Sequence, residues 1–85
     1  MRNFDEIEAL FTDLLTLSES ALSDTERDEI QEFFDVGEYG LALRTAVAIF
    51  REEKKHATST ERHIFLRLAK LMSIDPDALM IGLLL

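Results

Sequence analysis

The chain has 85 residues, a formal net charge of −8 and no cysteine, so we expect residues 1–85 to form one domain without disulfides or thiolate metal sites. Hydrophobic residues make up 47% of the sequence, which is enough for a core and too many for a disordered segment. No apolar stretch is long enough to cross a membrane, and the acidic N-terminal residues do not fit a signal peptide. These features favour a cytoplasmic protein.

The negative charge is concentrated in the first half of the chain. Residues 1–40 contain 12 acidic and two basic residues, for a net charge of −10, whereas residues 41–85 contain five acidic and seven basic residues, for a net charge of +2. A surface of this sign repels nucleic acid and anionic membranes and attracts basic partners. Solubility alone is the alternative explanation for the charge.

Hydrophobic residues recur at helical spacing along the whole chain, and no run shows the strict alternation of a half-buried strand. The first helix is predicted to start at Asn3, whose side chain caps the amide of Glu6 while Glu6 reaches back. Its apolar face is predicted to consist of Phe4, Ile7, Leu10, Phe11, Leu14 and Leu15.

The pair Ser23 and Glu26 predicts a second capping box and the start of the second helix. This helix is expected to run to about Val36 and to end at Gly37, because glycine suits the left-handed position just past a helix end. The third helix is predicted from about Tyr39 to His56. Its inward positions are predicted to be Leu41, Leu43, Ala46, Val47 and Phe50.

A further capping box, Thr58 with Glu61, predicts the start of the fourth helix. Its inward residues are predicted to be Ile64, Phe65, Leu68, Leu71 and Met72. Asp75 followed by Pro76 is typical of a helix start, so we predict a short fifth helix that ends in the apolar tail 83–85. The predicted fold class is therefore all-α, a compact bundle of four helices plus a short C-terminal helix.

The sequence contains no recognisable catalytic or cofactor-binding pattern. The two histidines, His56 and His63, are better explained as surface residues than as metal ligands, because a metal site needs three or four convergent ligands. There is no phosphate-binding glycine loop, no calcium loop and no nucleophile elbow. The Asp-Ser-Leu attachment motif of acyl carrier proteins is also missing. We therefore expect no enzyme activity, no cofactor, no metal and no small-molecule ligand.

The second helix is predicted to carry an acidic stripe on one face when its residues are placed at about 100° intervals. We define the acidic stripe as Asp24, Asp28, Gln31, Glu32 and Asp35, with Ile30, Phe33 and Phe34 on the opposite side facing the core. Its like-charge pairs at i,i+4 each cost about 0.2–0.5 kcal/mol, and Asp35 lies at the unfavourable negative end of the helix dipole. This cost indicates a use outside the fold, namely complementarity to a basic cleft, although a simple solvated face is the alternative.

The turn between the second and third helices is the most distinctive segment. Gly37 is expected to supply a positive φ, and Gly40 is expected to permit close approach of backbone. Glu38 lies near the next helix's N-terminus. Tyr39 has two interpretations, an interface anchor or a ring packed over the helix junction.

This turn, Phe33-Phe34-Asp35-Val36-Gly37-Glu38-Tyr39-Gly40-Leu41-Ala42-Leu43, resembles the small helical immunity proteins of the MafI type. Proteins of this type also act as immunity partners in contact-dependent growth inhibition systems, and they share a phrase close to Phe-x-x-x-Gly-Glu-Tyr-Gly-Leu-Ala-Leu. The resemblance extends loosely over most of the chain, but only the turn phrase is specific. The run 51–55 is more basic than the family usually shows.

The resemblance implies a bacterial immunity protein that binds the C-terminal domain of its cognate toxin in the cytoplasm, one to one, and blocks it. Toxins paired with this family are often RNA-cleaving nucleases, including EndoU-like ones. The candidate toxin-binding residues are Asp24, Asp28, Glu32 and Asp35 for electrostatics, with Glu38 and Tyr39 as nearby anchors. No direct contact with nucleic acid or membrane is expected.

Two other classes of function are considered. A small DNA-binding regulator or antitoxin would use the basic residues Arg62, Arg67 and Lys70 along one helix, although the charge of the whole chain opposes phosphate contacts. A homo-oligomeric scaffold would use the apolar tail 83–85 as its seam, although that tail could equally pack back on the bundle.

Overall fold

Five helices make up the computed structural model, which describes residues 4–83. They are α1 (Phe4–Leu17), α2 (Asp24–Asp35), α3 (Tyr39–Glu52), α4 (Ser59–Leu71) and α5 (Pro76–Met80). Helix α2 packs along α3, α1 packs against α4, and α5 lies against both α3 and α4. The prediction of an all-α fold with four longer helices and a short terminal one is confirmed.

The core is built from one or more large side chains of each long helix. Phe11, Ile30, Phe50 and Phe65 come from α1 to α4 in that order, and all are almost completely buried. The rings of Phe50 and Phe65 meet edge to face, with centroids 5.5 Å apart. Burying a side chain of this size contributes about 1.5–3 kcal/mol. The four helices are therefore held together by one shared core.

Two residues predicted to face inward are instead exposed. Phe4 retains 44% and Leu41 46% of its accessible surface. Phe4 begins α1 and Leu41 lies in the first turn of α3, so neither is covered by a neighbouring helix along its whole length. The predictions for these two positions were wrong because periodicity locates a face but not the extent to which a neighbour covers it.

Both predicted capping boxes are present. The hydroxyl of Ser23 accepts from the Glu26 amide at 3.1 Å, and the Glu26 carboxylate accepts from the Ser23 amide at 2.9 Å. Thr58 and Glu61 make the same two bonds at 3.1 and 2.8 Å. Each box satisfies backbone amides that the helix itself leaves without partners. The predicted cap at Asn3 lies outside the described residues.

Helix α2 ends at the predicted glycine. Gly37 has φ +78°, and the Glu38 amide donates to the Phe33 carbonyl at 2.9 Å. This six-to-one hydrogen bond is the Schellman motif, which closes the helix and satisfies a terminal carbonyl. The tight closure reverses the chain and brings α3 back along α2.

Helix α3 ends at Glu52, so the predicted extension to His56 was wrong. The chain is reversed by Lys54, whose φ is +53°, and the Lys55 amide donates to the Phe50 carbonyl at 2.8 Å. This is the same closure as at the end of α2, but with lysine in the left-handed position, where a side chain costs about 1–2 kcal/mol. Without glycine, the sequence gives no signal for this end.

Helix α5 begins as predicted, with a side-chain oxygen of Asp75 accepting from the Asp77 amide at 3.0 Å. It ends at Met80 rather than in the leucine tail. Gly82 then takes a positive φ of +80°, and Leu83 turns back into the core, where it is buried. The prediction that the helix continues into the tail was therefore wrong at Leu83, and residues 84–85 lie outside the described part.

A buried polar contact joins the end of α1 to the start of α4. The side chain of Ser18 is fully buried and Glu61 retains only 3% of its accessible surface. The Ser18 hydroxyl donates to one carboxylate oxygen of Glu61 at 2.6 Å, while the other oxygen serves the capping box of Thr58. One glutamate thus caps a helix and links two elements, and the two buried side chains, Ser18 and Glu61, both have hydrogen-bond partners.

Candidate functional site

The acidic stripe lies on the outer face of α2, as its spacing predicts. Its four carboxylates are all exposed, and Gln31 between them is half-buried. On the opposite side of the helix Ile30 is fully buried, and Phe33 and Phe34 pack partly buried against the core. The structure therefore brings Asp24, Asp28, Glu32 and Asp35 together on one solvent-facing surface.

No cation neutralises the acidic stripe within residues 4–83. The ion pairs found there are Lys55 with Glu26 at 3.4 Å and Arg67 with Glu6 at 2.8 Å. The one side-chain hydrogen bond within the stripe is from Gln31 to Asp35, at 2.8 Å, and it leaves the charge of Asp35 unchanged. The negative potential of the four carboxylates is therefore available to a partner.

Glu26 lies on the same helix as the acidic stripe, but its environment is different. Its hydrogen bond from the Ser23 amide is the main reason that its pKa lies below the ordinary value, and the ammonium group of Lys55 lowers it further. The side chain of Glu26 is mostly covered, with 19% of its surface exposed. Glu26 therefore serves the fold, whereas the acidic stripe faces outward.

Tyr39 is turned toward α1 rather than toward the acidic stripe. Its ring packs against Phe4, Phe11 and Phe34, with centroid distances of 5.8, 6.3 and 5.7 Å. Its hydroxyl donates to the Glu8 carboxylate at 2.5 Å, and this hydrogen bond raises the pKa of the phenol above its ordinary value. Of the two interpretations of Tyr39, the ring packed over the helix junction describes what the structure places there.

Glu38 is exposed at the N-terminal end of α3 and makes no side-chain hydrogen bond to the helix. It follows the last residue of the acidic stripe by three positions and lies beyond the turn. Glu38 and Tyr39 both line a hollow beside the start of α3, so the structure places these two residues with each other and not on the face of α2 that carries the stripe.

An exposed valine next to the acidic stripe was missed by the sequence reasoning. Val36 retains 69% of its accessible surface and lies between Asp35 and Gly37 at the end of α2. The sequence signal was its position, because Val36 is the C-cap residue of α2 directly before the helix-ending Gly37. Val36 is an apolar group beside the carboxylates and can contribute contact area to an interface.

Residues 4–83 were expected to contain neither a cluster of metal ligands nor a membrane-spanning helix. No three His, Asp or Glu side chains converge there as metal ligands would, and both histidines are exposed. None of the helices in residues 4–83 is long and apolar enough to cross a membrane.

Gly40 does not let another backbone segment approach closely, contrary to expectation. A methyl group added there would meet the guanidinium of Arg44 at 3.7 Å and the side chain of Ile74 at 4.0 Å, both ordinary contacts. The space in front of Gly40 is an open groove instead.

Comparison with known proteins gives no relative. No protein-family model matches the chain, and neither the curated proteins nor the solved structures contain one that matches it.

Proposed function

We propose that this protein is an immunity protein that binds and neutralises the C-terminal nuclease domain, an RNA-cleaving one, of a cognate bacterial toxin. The observation that carries the proposal is the acidic stripe: four exposed carboxylates on one face of α2, with no ion pair in residues 4–83. The resemblance of the turn 33–43 to MafI-type immunity proteins supplies the class of partner. The protein acts by stoichiometric binding, not by catalysis.

The physical basis of the proposal is electrostatic complementarity. A nuclease cleft that holds RNA is basic, and the acidic stripe can take the place of phosphates there. From Asp24 to Asp35 the carboxylates extend along α2 for about 16 Å, at 1.5 Å per residue. Charge of this kind raises the association rate and selects the partner. The like-charge cost inside α2 is then offset when the toxin binds.

Slow dissociation needs apolar contacts in addition to charge, because an immunity protein must leave little toxin free. Val36, 69% exposed at the end of the acidic stripe, is the apolar side chain best placed to supply one. Replacing Val36 with serine is expected to speed dissociation of the toxin complex while leaving the association rate unchanged.

The test is a calorimetric titration of this protein into the purified toxin domain encoded beside its gene, with RNA cleavage followed in parallel. We expect one-to-one binding in the nanomolar range or tighter, with cleavage lost at equivalence. No heat of binding together with undiminished cleavage would refute the proposal.

A charge-reversal pair tests the role of the acidic stripe. Asp28→Lys combined with Glu32→Lys is expected to slow association at least tenfold at low salt, with a smaller effect at high salt because ions screen exposed charges. Asp13→Lys with Glu53→Lys is the matched control, since both residues are exposed, lie outside α2 and give the same change in net charge. Equal effects of the two pairs would show that only net charge matters.

The structure does not favour the two other functions considered. Of the basic residues considered above for DNA binding, Arg67 is paired with Glu6 at 2.8 Å, which reduces the availability of its guanidinium for phosphates. The apolar tail was considered as an interface between copies of the chain, but its residue Leu83 is buried within the bundle. A gel shift at low salt and light scattering test these two functions directly.

A further inference from the structure

A second surface lies away from the acidic stripe, in a groove along α3. Two adjoining hollows of about 570 and 370 Å³ share Arg44 and Ile74 in their walls. The first hollow is bordered by the start of α1, the turn between α2 and α3, and the end of α4; the second lies between α3 and α5. The two hollows adjoin at these shared residues, and we name them together the α3 groove.

Small residues of α3 line the floor of the α3 groove. Gly40 and Ala48 both lie in it, and the nearest atoms that a side chain at Gly40 would meet belong to Arg44 and Ile74. From Gly40 to Arg51 the helix rises about 16 Å. An extended peptide advances about 3.3 Å per residue, so roughly five residues of a peptide fit along this length.

The walls of the first hollow offer apolar contacts. Phe4 is 44% exposed, and Met72 and Ile74 are half-buried at the end of α4 and just beyond it. Together these three side chains, none of which belongs to α3, give apolar surface to the first hollow. An extended segment that alternates apolar and polar side chains can place its apolar ones here.

The charge in the middle of the α3 groove is positive, opposite in sign to the net charge of −8 of the whole chain. No acidic residue occurs from position 39 to position 51, although the chain contains 17 of them. Arg44 is exposed and makes no hydrogen bond or ion pair with any residue in 4–83. Arg51, further along, has one guanidinium nitrogen 3.5 Å from the Leu79 carbonyl.

Two carboxylates also border the α3 groove, one toward each end. Glu38 lies in the first hollow and Asp75 in the second. Asp75 uses one oxygen to cap α5 by accepting from the Asp77 amide, and neither carboxylate forms an ion pair with Arg44. The guanidinium of Arg44, shared by the two hollows, is therefore the cation, unpaired within residues 4–83, that a ligand would meet, and the two carboxylates leave its charge uncompensated.

We propose that the α3 groove binds an extended segment of a partner protein whose aspartate or glutamate side chain pairs with Arg44. A guanidinium binds a carboxylate with two parallel hydrogen bonds, which fixes the position of the segment as well as adding affinity. The proposal goes beyond the proposed function, because its central residue, Arg44, is not a candidate toxin contact and takes a partner group of the opposite charge. The groove shares only the lining residues Glu38 and Tyr39 with the candidate toxin-binding residues.

The test begins with selection from a displayed library of random hexapeptides against the wild-type protein, with counter-selection against Arg44→Gln. We expect the enriched peptides to carry a carboxylate with apolar neighbours at alternate positions. One enriched peptide is then synthesised together with its amide counterpart, in which glutamine or asparagine replaces the acidic residue, and both are titrated while amide NMR signals are followed.

The expected result is saturable shifts of the Gly40, Ala48 and Ile74 amides, with at least tenfold weaker binding when the peptide carries the amide or when the protein carries Arg44→Gln. Lys70→Gln is the matched control, because it removes one exposed positive charge outside the groove. It should leave binding unchanged. Gly40→Ala should keep the fold, since its methyl group meets only ordinary contacts, and should weaken binding by raising the floor.

Three outcomes would overturn the proposal. The library could yield no enrichment over Arg44→Gln; the acid and amide peptides could bind equally; or the shifts could fall outside the α3 groove. Light scattering of the free protein supplies a fourth: a dimer that dissociates in Arg44→Glu would show that a second copy of this chain occupies the groove. None of these measurements uses a toxin, so their failure is distinguishable from failure of the immunity proposal.

Discussion

Two groups of carboxylates play different parts in the fold. One group lies between α1 and α4, and the other lies on the outer face of α2. Glu6 on α1 pairs with Arg67 on α4 at 2.8 Å, and Glu61 on α4 accepts from Ser18 at the end of α1. The four carboxylates of the acidic stripe make no ion pair within residues 4–83. The first set joins parts of the chain that are distant in sequence, whereas the second set repels itself. The fold needs the first set and tolerates the second.

The variant with the largest expected effect on the free energy of unfolding is Glu61→Ala. It removes the capping box of α4 and leaves the fully buried hydroxyl of Ser18 without its acceptor. We expect a loss of about 2–3 kcal/mol in the free energy of unfolding, because a lost cap and a buried polar group without a partner each cost about 1 kcal/mol or more. Urea unfolding measures the loss. Glu61→Gln keeps one acceptor oxygen for the Thr58 amide and can donate to the Ser18 hydroxyl from its amide nitrogen, so it should lose less. An equal loss would show that both carboxylate oxygens are needed as acceptors.

A second variant, Lys54→Gly, separates backbone strain from charge near the end of α3. Lys54 adopts a φ of +53°, and its neighbour Lys55 holds Glu26 on α2. Glycine at position 54 should stabilise the fold by about 1 kcal/mol by removing the left-handed strain, as measured by urea unfolding. Lys54→Gln, which removes the charge and keeps the strain, should give almost no gain. Equal gains from both variants would identify charge as the cause.

Removing charge from the acidic stripe should raise the free energy of unfolding, whereas removing Glu61 should lower it. Asp28→Asn combined with Glu32→Gln is expected to raise the free energy of unfolding by about 0.5 kcal/mol, because it relieves like-charge pairs at i,i+4. The gain should shrink when salt is added. The same double variant should weaken toxin binding. A loss of stability in thermal and urea unfolding would mean that the acidic stripe serves the fold after all.

The smallest expected effect is that of Glu8→Gln, which removes the carboxylate that accepts a hydrogen bond from Tyr39 on another helix. Its hydrogen bond from Tyr39 raises the pKa of the phenol above 10.0, so Glu8→Gln should lower that pKa toward its ordinary value. Because the folded pKa is the higher one, the stabilising contribution is complete below pH 10 and is lost as the pH rises through the folded pKa. The chain has one tyrosine, so tyrosinate absorbance during an alkaline titration reports this group alone. An unchanged pKa would show that the hydrogen bond does not form in solution.

Sequence reasoning succeeded where the physical cause is local. The capping boxes at Ser23 and Thr58 depend on residues three positions apart, and the outward face of the acidic stripe follows from helical spacing. It failed at the end of α3 because Lys54 takes a conformation usually assigned to glycine. Ser18 has its partner 43 residues away, and no local pattern predicts such a pair.

The candidate site divides in the same way. The carboxylates of α2 were identified by their spacing, but the orientation of Tyr39 depends on the rings of Phe4 and Phe11 from another helix. The α3 groove could not be predicted, since it exists only when the end of α4 places Ile74 opposite Arg44. Surfaces carried by one helix are readable from the sequence, whereas surfaces assembled by several helices are not.

The pairing of α1 with α4 has a consequence for how the protein is made. Contacts between these helices join residues 43 and 61 positions apart, whereas α2 and α3 are adjacent in the chain. Helix α1 leaves the ribosome before α2 and α3, and its partner α4 follows only after both, on the order of seconds later at typical elongation rates. During that interval the α2–α3 hairpin can form by itself, since local contacts form fastest. The apolar face of α1 stays exposed until α4 has been synthesised and packs against it.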